Sequence, residues 1–105
     1  MQEQEKSYQS FSDFYPFYLS EHSNLTCRRL HFVGSTLVLL MLAYILLNGA
    51  WIYFFSLPLI GYGFAWVGHF FYEKNNPATF QYPLYSFMGD WVMYKDIFLG
   101  KVKLS

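Results

Sequence analysis

The chain is short of charge, and what it has is balanced. Only 13% of its 105 residues are charged, about half the share of an ordinary soluble domain. The 7 basic and 7 acidic side chains cancel to a formal net charge of zero. A protein that grips nucleic acid through its phosphates needs a basic surplus on one face, so no nucleic-acid partner is expected. Cys27 is the sole cysteine, which excludes a disulfide scaffold. No internal repeat or low-complexity tract is present. A signal peptide is not expected, because Glu3 and Glu5 offset Lys6 and no apolar run follows closely. The length allows one domain, residues 1–105, and not two.

What is abundant is apolar and aromatic. Hydrophobic residues make up 54% of the chain and aromatics 24%, with 12 Phe, 10 Tyr and 3 Trp, a composition incompatible with disorder. The charges stand at the two ends, seven at or before Arg29 and seven at or after Glu73; Phe32 to Tyr72 is a run of 41 residues without Asp, Glu, Lys or Arg. A membrane-spanning helix needs about 20 such residues, so the run is long enough for two. Asn48-Gly49 is a strong turn signal near its middle, and Pro58 follows. The expected architecture is all-α: a membrane helical hairpin with spans at about 25–47 and 51–73. Trp51, Tyr53 and Phe54 fall where an aromatic belt would form. The soluble alternative, a bundle with two greasy core helices, would have to hide both from water on every side.

Topology follows from the same distribution. The connecting turn is uncharged, and every basic residue (Lys6, Arg28, Arg29, Lys74, Lys95, Lys101, Lys103) flanks the other side, so both termini are expected to face the cytoplasm. Two amphipathic interfacial helices are expected beside the hairpin. Phe11, Phe14, Tyr15 and Tyr18 recur at i, i+3, i+4 and i+7, with Ser12 or Asp13 as N-cap and Pro16 in the first turn. Leu84, Phe87, Met88, Trp91, Val92 and Phe98 form a second stripe that ends near Gly100.

The chemistry has to come from the few polar residues that accept a position in the apolar run, and intramembrane ionisable residues point to function by default. From the Gly49–Ala50 turn, His31 lies about 18 residues back and His69 about 19 or 20 forward, which at about 1.5 Å per residue places them at nearly the same depth. His22, in the loop before the first span, reaches the same rim. Gly61, Ala65 and His69 form an i, i+4 ridge that permits close helix approach, and Gly34 and Ser35 leave room beside His31. Glu73, one turn beyond His69, would present a carboxylate on the same face. Neutral imidazoles with an open coordination position suit Zn, Fe, Cu or Ni, and two histidines with a carboxylate suit oxygen-activating non-haem Fe(II). Arg28 and Arg29 read either as interfacial anchors or as carboxylate clamps; Cys27 reads as packing. Two other readings stay open: a bis-histidine haem carrier, and a structural scaffold that uses its Gly61/Ala65 face.

The motifs then resemble a known family. Tyr18-x-x-x-His22, Asn24, His31-x-x-Gly34 and Gly68-His69-x-x-x-Glu73-x-x-x-Pro77-Ala78 look like the small membrane-protein family containing the yeast 2-hydroxy-palmitic-acid dioxygenase. The stretches Ala65 to Asn75, Pro77 to Phe80 and Tyr82 to Phe87 resemble its bacterial short forms, and the likeness runs from about Phe11 to Lys101. The resemblance implies an Fe(II)-dependent, O2-consuming enzyme of fatty-acid α-oxidation that shortens a 2-hydroxy fatty acid by one carbon. It implies His22, His31 and His69 as iron ligands and catalytic residues, with Glu73 as a further ligand or a supporting partner. Arg28, Arg29 and Tyr18 would bind substrate, the acyl chain lying in bilayer or between Phe14, Tyr18, Phe70 and Trp91. The partners expected are the fatty acid, O2 and the lipid bilayer, a bacterial inner membrane, with a homo-oligomer left open.

Overall fold

A computed structural model of the protein describes residues 8–104; Glu3, Glu5 and Lys6 lie outside them. Among the described residues there is no strand. Four α-helices follow one another: α1 (Phe11–Ser20), α2 (Leu25–Asn48), α3 (Ser56–Val67) and α4 (Pro83–Phe98). The expected hairpin is α2 packed against α3. The segments Leu25–Asn48 and Trp51–Glu73 are both long and apolar enough to cross a membrane.

Local chemistry sets the boundaries. Asn24 caps α2, its Oδ1 accepting from the Thr26 and Cys27 amides at 2.8 and 3.2 Å. Gly49, in the left-handed region at φ 64°, ends it, because the chain must reverse there and glycine bears no Cβ penalty. The second apolar segment is less regular than a single helix. It opens with a 3₁₀ turn at Trp51–Tyr53, and Pro58 sits in the first turn of α3, where its missing N–H costs nothing. Beyond Val67 the chain widens into a π-helical turn, Gly68–Glu73. In α1 the N-cap is Ser10, which accepts from the Asp13 amide, instead of Ser12 or Asp13. Pro16 therefore stands well inside that helix, tolerated because it and Ser12 are exposed, so water can serve the carbonyl that the proline cannot.

The two flanking helices pack on each other. Phe14 and Tyr18 of α1, Met93 of α4, Ala78 and Val102 form one buried cluster. Tyr15 donates to Asp96 at 2.8 Å, Tyr18 donates to Asp90, and a Cβ on Gly89 would stand 2.9 Å from the Tyr18 ring. The second expected stripe is turned outward: α4 buries Ser86, Gly89, Met93 and Asp96, while Leu84 and Phe98 are 68% and 67% exposed. Small and polar side chains face inward and large apolar ones face out, the pattern of a protein whose surroundings are themselves apolar. The same inversion runs along the hairpin, where only 17% of each spanning window is buried. A core helix of a soluble protein would be mostly covered.

The hairpin closes tightest at its histidine end. A Cβ on Gly68 would lie 2.8 Å from Cys27 Sγ and 3.2 Å from Cys27 Cα, and one on Gly34 would lie 2.8 Å from Phe64 Cβ. Gly61, expected on the close ridge, has more room, with Val38 Cγ2 at 3.4 Å. Gly68→Ala should therefore cost roughly 1–3 kcal/mol through overpacking, whereas Gly63→Ala, with nothing within 4 Å of its new Cβ, should cost nothing. Thermal unfolding in one detergent checks the pair; equal midpoints would refute the close packing of Gly68 on Cys27.

Candidate metal centre

Three helix ends deliver one histidine each. His22 lies in the loop after α1, His31 two turns into the close-packed start of α2, and His69 at the opening of the π-helical turn. All three are buried, at 1%, 6% and 2% exposure. Each Nδ1 meets an oxygen. His22 Nδ1 donates to the Tyr18 carbonyl at 2.7 Å, and His31 Nδ1 donates to the Cys27 carbonyl at 2.9 Å. His69 Nδ1 donates to Asn75 Oδ1 at 2.8 Å. The Asn75 orientation is set from its other end, where Nδ2 donates to the Glu21 carbonyl and carboxylate at 3.3 and 3.2 Å. Because a carbonyl only accepts, each neutral imidazole carries its proton on Nδ1 and leaves Nε2 as a bare lone pair.

Those lone pairs face one another. His22 Nε2 stands 3.1 Å from His31 Nε2 and 3.0 Å from His69 Nε2. Facing lone pairs repel, so the arrangement calls for a cation among them. Two imidazole nitrogens about 2.1 Å from one divalent ion, and at right angles to each other, stand about 3.0 Å apart. Orientation of every ligand ring through its other nitrogen is the usual support of a metal site. Burial, then the neighbouring His31 and His69 rings, holds the pKa of His22 well below the ordinary histidine value, which keeps it in the neutral form that binds metal. The donor set fits a transition ion of the Zn, Fe, Cu and Ni group. It does not fit haem between two of these rings, which would need axial nitrogens about 4 Å apart and a slot for the macrocycle.

Cys27 enters the same group: the ligand atoms of His22, Cys27, His31 and His69 all lie within 4.8 Å of one another. Its Sγ lies 3.7 Å from Nδ1 of His31, the nitrogen that does not join the cluster, and Gly68 packs on it. The hydrogen bonds of Glu73 go to the start of α2. Its carboxylate accepts from the Asn24 amide and from Ser23 Oγ, fastening the π-helical turn to the start of α2. The physical reason is the competing donors, since the free amide and hydroxyl at the start of α2 draw the carboxylate to themselves. Arg28 Nε donates to the His22 carbonyl at 2.6 Å and Arg28 Nη1 to the Lys103 carbonyl at 3.3 Å; Arg29 Nε donates to the Leu104 carbonyl at 2.7 Å. Both arginines thus hold backbone of the loop and the C-terminal segment. Tyr18 stacks on His22 with centroids 4.1 Å apart. Phe14 is wholly buried among aromatics of α1 and α4, which leaves no space for an acyl chain between it and Tyr18.

A cavity of about 10 Å³ adjoins the histidines, bounded also by Tyr18, Ser86 and Asp90. Ser86 Oγ is buried with no hydrogen-bond partner, an orphan that a bound ligand or water would satisfy. Asp90 faces the same space, and burial raises its carboxyl to about 7 despite the hydrogen bond from Tyr18. Sequence reasoning missed Ser86, Asp90 and Asn75, because the pairing of α1 with α4 and the closing of the π-helical turn leave no periodic signal.

A family model described as 2-hydroxy-palmitic acid dioxygenase Mpo1-like matches residues 8–102. A search of the curated proteins and a search of the solved structures each return no match.

Two outcomes follow from this geometry. Removing the Asn75 amide frees the His69 ring, so Asn75→Ala should weaken metal binding about 10- to 100-fold, read by competition with a chelator; unchanged affinity would remove Asn75 from the support of the site. The fold also prefers Asp90 protonated. Its contribution is full below the ordinary carboxylate range and is lost as pH rises through about 7. Asp90→Asn should therefore raise the unfolding midpoint more at pH 8 than at pH 4, and an equal gain at both values would contradict the burial of that carboxyl.

Proposed function

Because the chain belongs to the 2-hydroxy-palmitic acid dioxygenase Mpo1-like family, we propose that it is an Fe(II)-dependent dioxygenase that shortens a 2-hydroxy fatty acid by one carbon at a membrane. One observation carries the reading: three buried Nε2 atoms converge, each ring locked by a hydrogen bond at Nδ1. His22, His31 and His69 would hold the metal. Iron, when bound, supplies the activation of O2 that no side chain performs alone. The overall change balances with O2 as the sole oxidant: a 2-hydroxy acid and O2 give the acid one carbon shorter, CO2 and water. Carbon 2 rises from alcohol to carboxyl while carbon 1 leaves, a four-electron oxidation that needs no second reductant.

The remaining groups have tasks of orientation and proton holding. Ser86 Oγ and Asp90 are among the polar groups that share the cavity with the imidazoles, beside Tyr62 and Thr79, and they would meet the polar head of the substrate. A carboxyl titrating near 7 can take or return a proton at neutral pH with little cost. Tyr18 donates to Asp90 and stacks on His22, which ties the proton-holding group to a ligand ring. Arg28 and Arg29 would draw an arriving carboxylate toward the rim through the N–H groups that they do not give to backbone carbonyls. Glu73 supports the site by joining the π-helical turn to α2.

The two long apolar helices would lie in the bilayer, with the histidine end at the basic rim. The lack of charge in the α2–α3 turn favours both termini on the cytoplasmic side, in a bacterial inner membrane.

The decisive experiment is mass spectrometry of products from detergent-purified, Fe(II)-loaded protein given 2-hydroxyhexadecanoate and O2. The expected product is pentadecanoate, absent without iron and lost together with bound iron in His69→Ala. Stoichiometric iron without product would discard the substrate; full iron and full turnover in His69→Ala would discard the site.

A further inference from the structure

A groove of about 450 Å³ begins where the metal centre ends. His31, Tyr62, Ala65 and Asp90 line both the small cavity at the imidazoles and this groove, so the two spaces adjoin. From His31 the groove follows α2 past Val38 to Leu42, with Phe54 at its far end and Gly61 and Trp91 in its walls. Its surface is mostly apolar, and its acidic group, Asp90, stands at the histidine end.

The dimensions identify an occupant. His31 to Leu42 is eleven residues of α-helix, about 16 Å at 1.5 Å per residue. That is about half of a 30 Å hydrocarbon core, hence one leaflet, and one leaflet is one lipid acyl chain deep. A groove with a polar mouth at the metal centre and an apolar floor one leaflet away matches a fatty acid lying with its head at the imidazoles. Gly61 is what keeps it open on the α3 side. It has no side chain, a Cβ on it would already touch Val38 Cγ2 at 3.4 Å, and it lies one helical turn deeper than Ala65 at the mouth.

Resting on the function given above, we propose that this groove is the acyl-chain channel, with the 2-hydroxy carboxylate at His31 and Asp90 and the methyl end toward Leu42 and Phe54. Gly61 and Leu42 then decide how long a chain is accepted. A branched side chain at residue 61 closes the groove about a third of the way down; a larger one at residue 42 shortens only its end.

The test compares 2-hydroxydecanoate with 2-hydroxyhexadecanoate in Gly61→Leu and Leu42→Trp, with iron content measured in each. Both variants should keep their iron. Gly61→Leu should lower kcat/KM for the longer acid relative to the shorter by roughly tenfold or more, the scale on which an apolar pocket rejects extra methylenes. Leu42→Trp should shift the ratio in the same direction by less, and it carries the test alone if Gly61→Leu fails to fold. A second readout needs no turnover. In protein whose Trp51 and Trp66 are replaced by Phe, a 2-hydroxyhexadecanoate brominated at mid-chain should quench Trp91 saturably, and Gly61→Leu should abolish that quenching. An unchanged chain-length ratio in both variants, or quenching that neither saturates nor responds to Gly61→Leu, would overturn the channel. Saturable quenching without turnover of either acid would keep the channel and overturn the dioxygenase reading instead.

Discussion

The His22 imidazole lone pair held 3.1 and 3.0 Å from those of His31 and His69 is a repulsive arrangement, and the rest of the structure is organised to impose it. No ring is free to turn, because its Nδ1 proton is committed to an oxygen supplied by the backbone or by Asn75. The Tyr18 carbonyl lies in the last turn of α1, where helix carbonyls have no intrahelical partner, so His22 uses an acceptor that the helix end provides. His31 binds the carbonyl one turn earlier on its own helix. His69 has no such local acceptor in the widened turn and takes the side chain of Asn75, itself pinned to Glu21. Side chains that converge from loops need this kind of external fastening. Arg28 adds another tie by holding the carbonyl of His22.

The surface and the interior differ in the groups they hold. Around the hairpin, large apolar side chains such as Leu47, Ile52 and Phe55 are 84%, 85% and 78% exposed, a disposition that water would penalise and lipid accepts. Inside, the buried set is rich in groups that lipid rejects: His22, His31, His69, Ser86 and Asp96. Burial of such groups is costly unless each is hydrogen-bonded. Asp96 and the histidine Nδ1 atoms are satisfied, while the histidine Nε2 lone pairs and Ser86 Oγ are not, and these exceptions lie together. The α1–α4 pair is what makes this interior possible, covering with Tyr18, Ser86 and Asp90 a side of the site that a bare hairpin would leave open.

Legibility in the sequence followed the range of the interactions. The charge-free run from Phe32 to Tyr72, the Asn48-Gly49 reversal and the common depth of His31 and His69 are consequences of helix rise and local turn chemistry, and each is where arithmetic put it. The loop position of His22 was legible for the same reason. The inward face of α4 was not. Its large apolar stripe marks the buried side only when water is the solvent, and here the small and polar face is buried against Tyr18. Asp90 looked like one more charge in a flanking segment, since nothing near it in the chain announces that Tyr18, seventy-two residues earlier, will cover it. Glu73 was expected as a ligand or a supporting partner, and its bonds to Ser23 and Asn24, some fifty residues away, have no signal in its own helix.

The π-helical turn is the irregular local feature most closely bound to the site. It ends on Lys74 at φ 60°, a left-handed conformation that a residue with a Cβ adopts at a cost of about 1 kcal/mol or more, and it closes with the Asn75 amide donating to the His69 carbonyl at 3.1 Å. An α-helix carried through to Glu73 would avoid both. It would also carry Asn75 onward along the helix axis, away from the His69 ring, and would leave Nδ1 without its acceptor. With the ring unfixed, Nε2 need not point at His22, and the converging set reduces to two. The irregular turn folds Asn75 back onto His69, sends the Glu73 carboxylate to the Asn24 amide, and brings Gly68 against Cys27. The strain is thus local to the residues that aim the third imidazole, and the contacts that hold it in place are the same ones that lock the turn to α2.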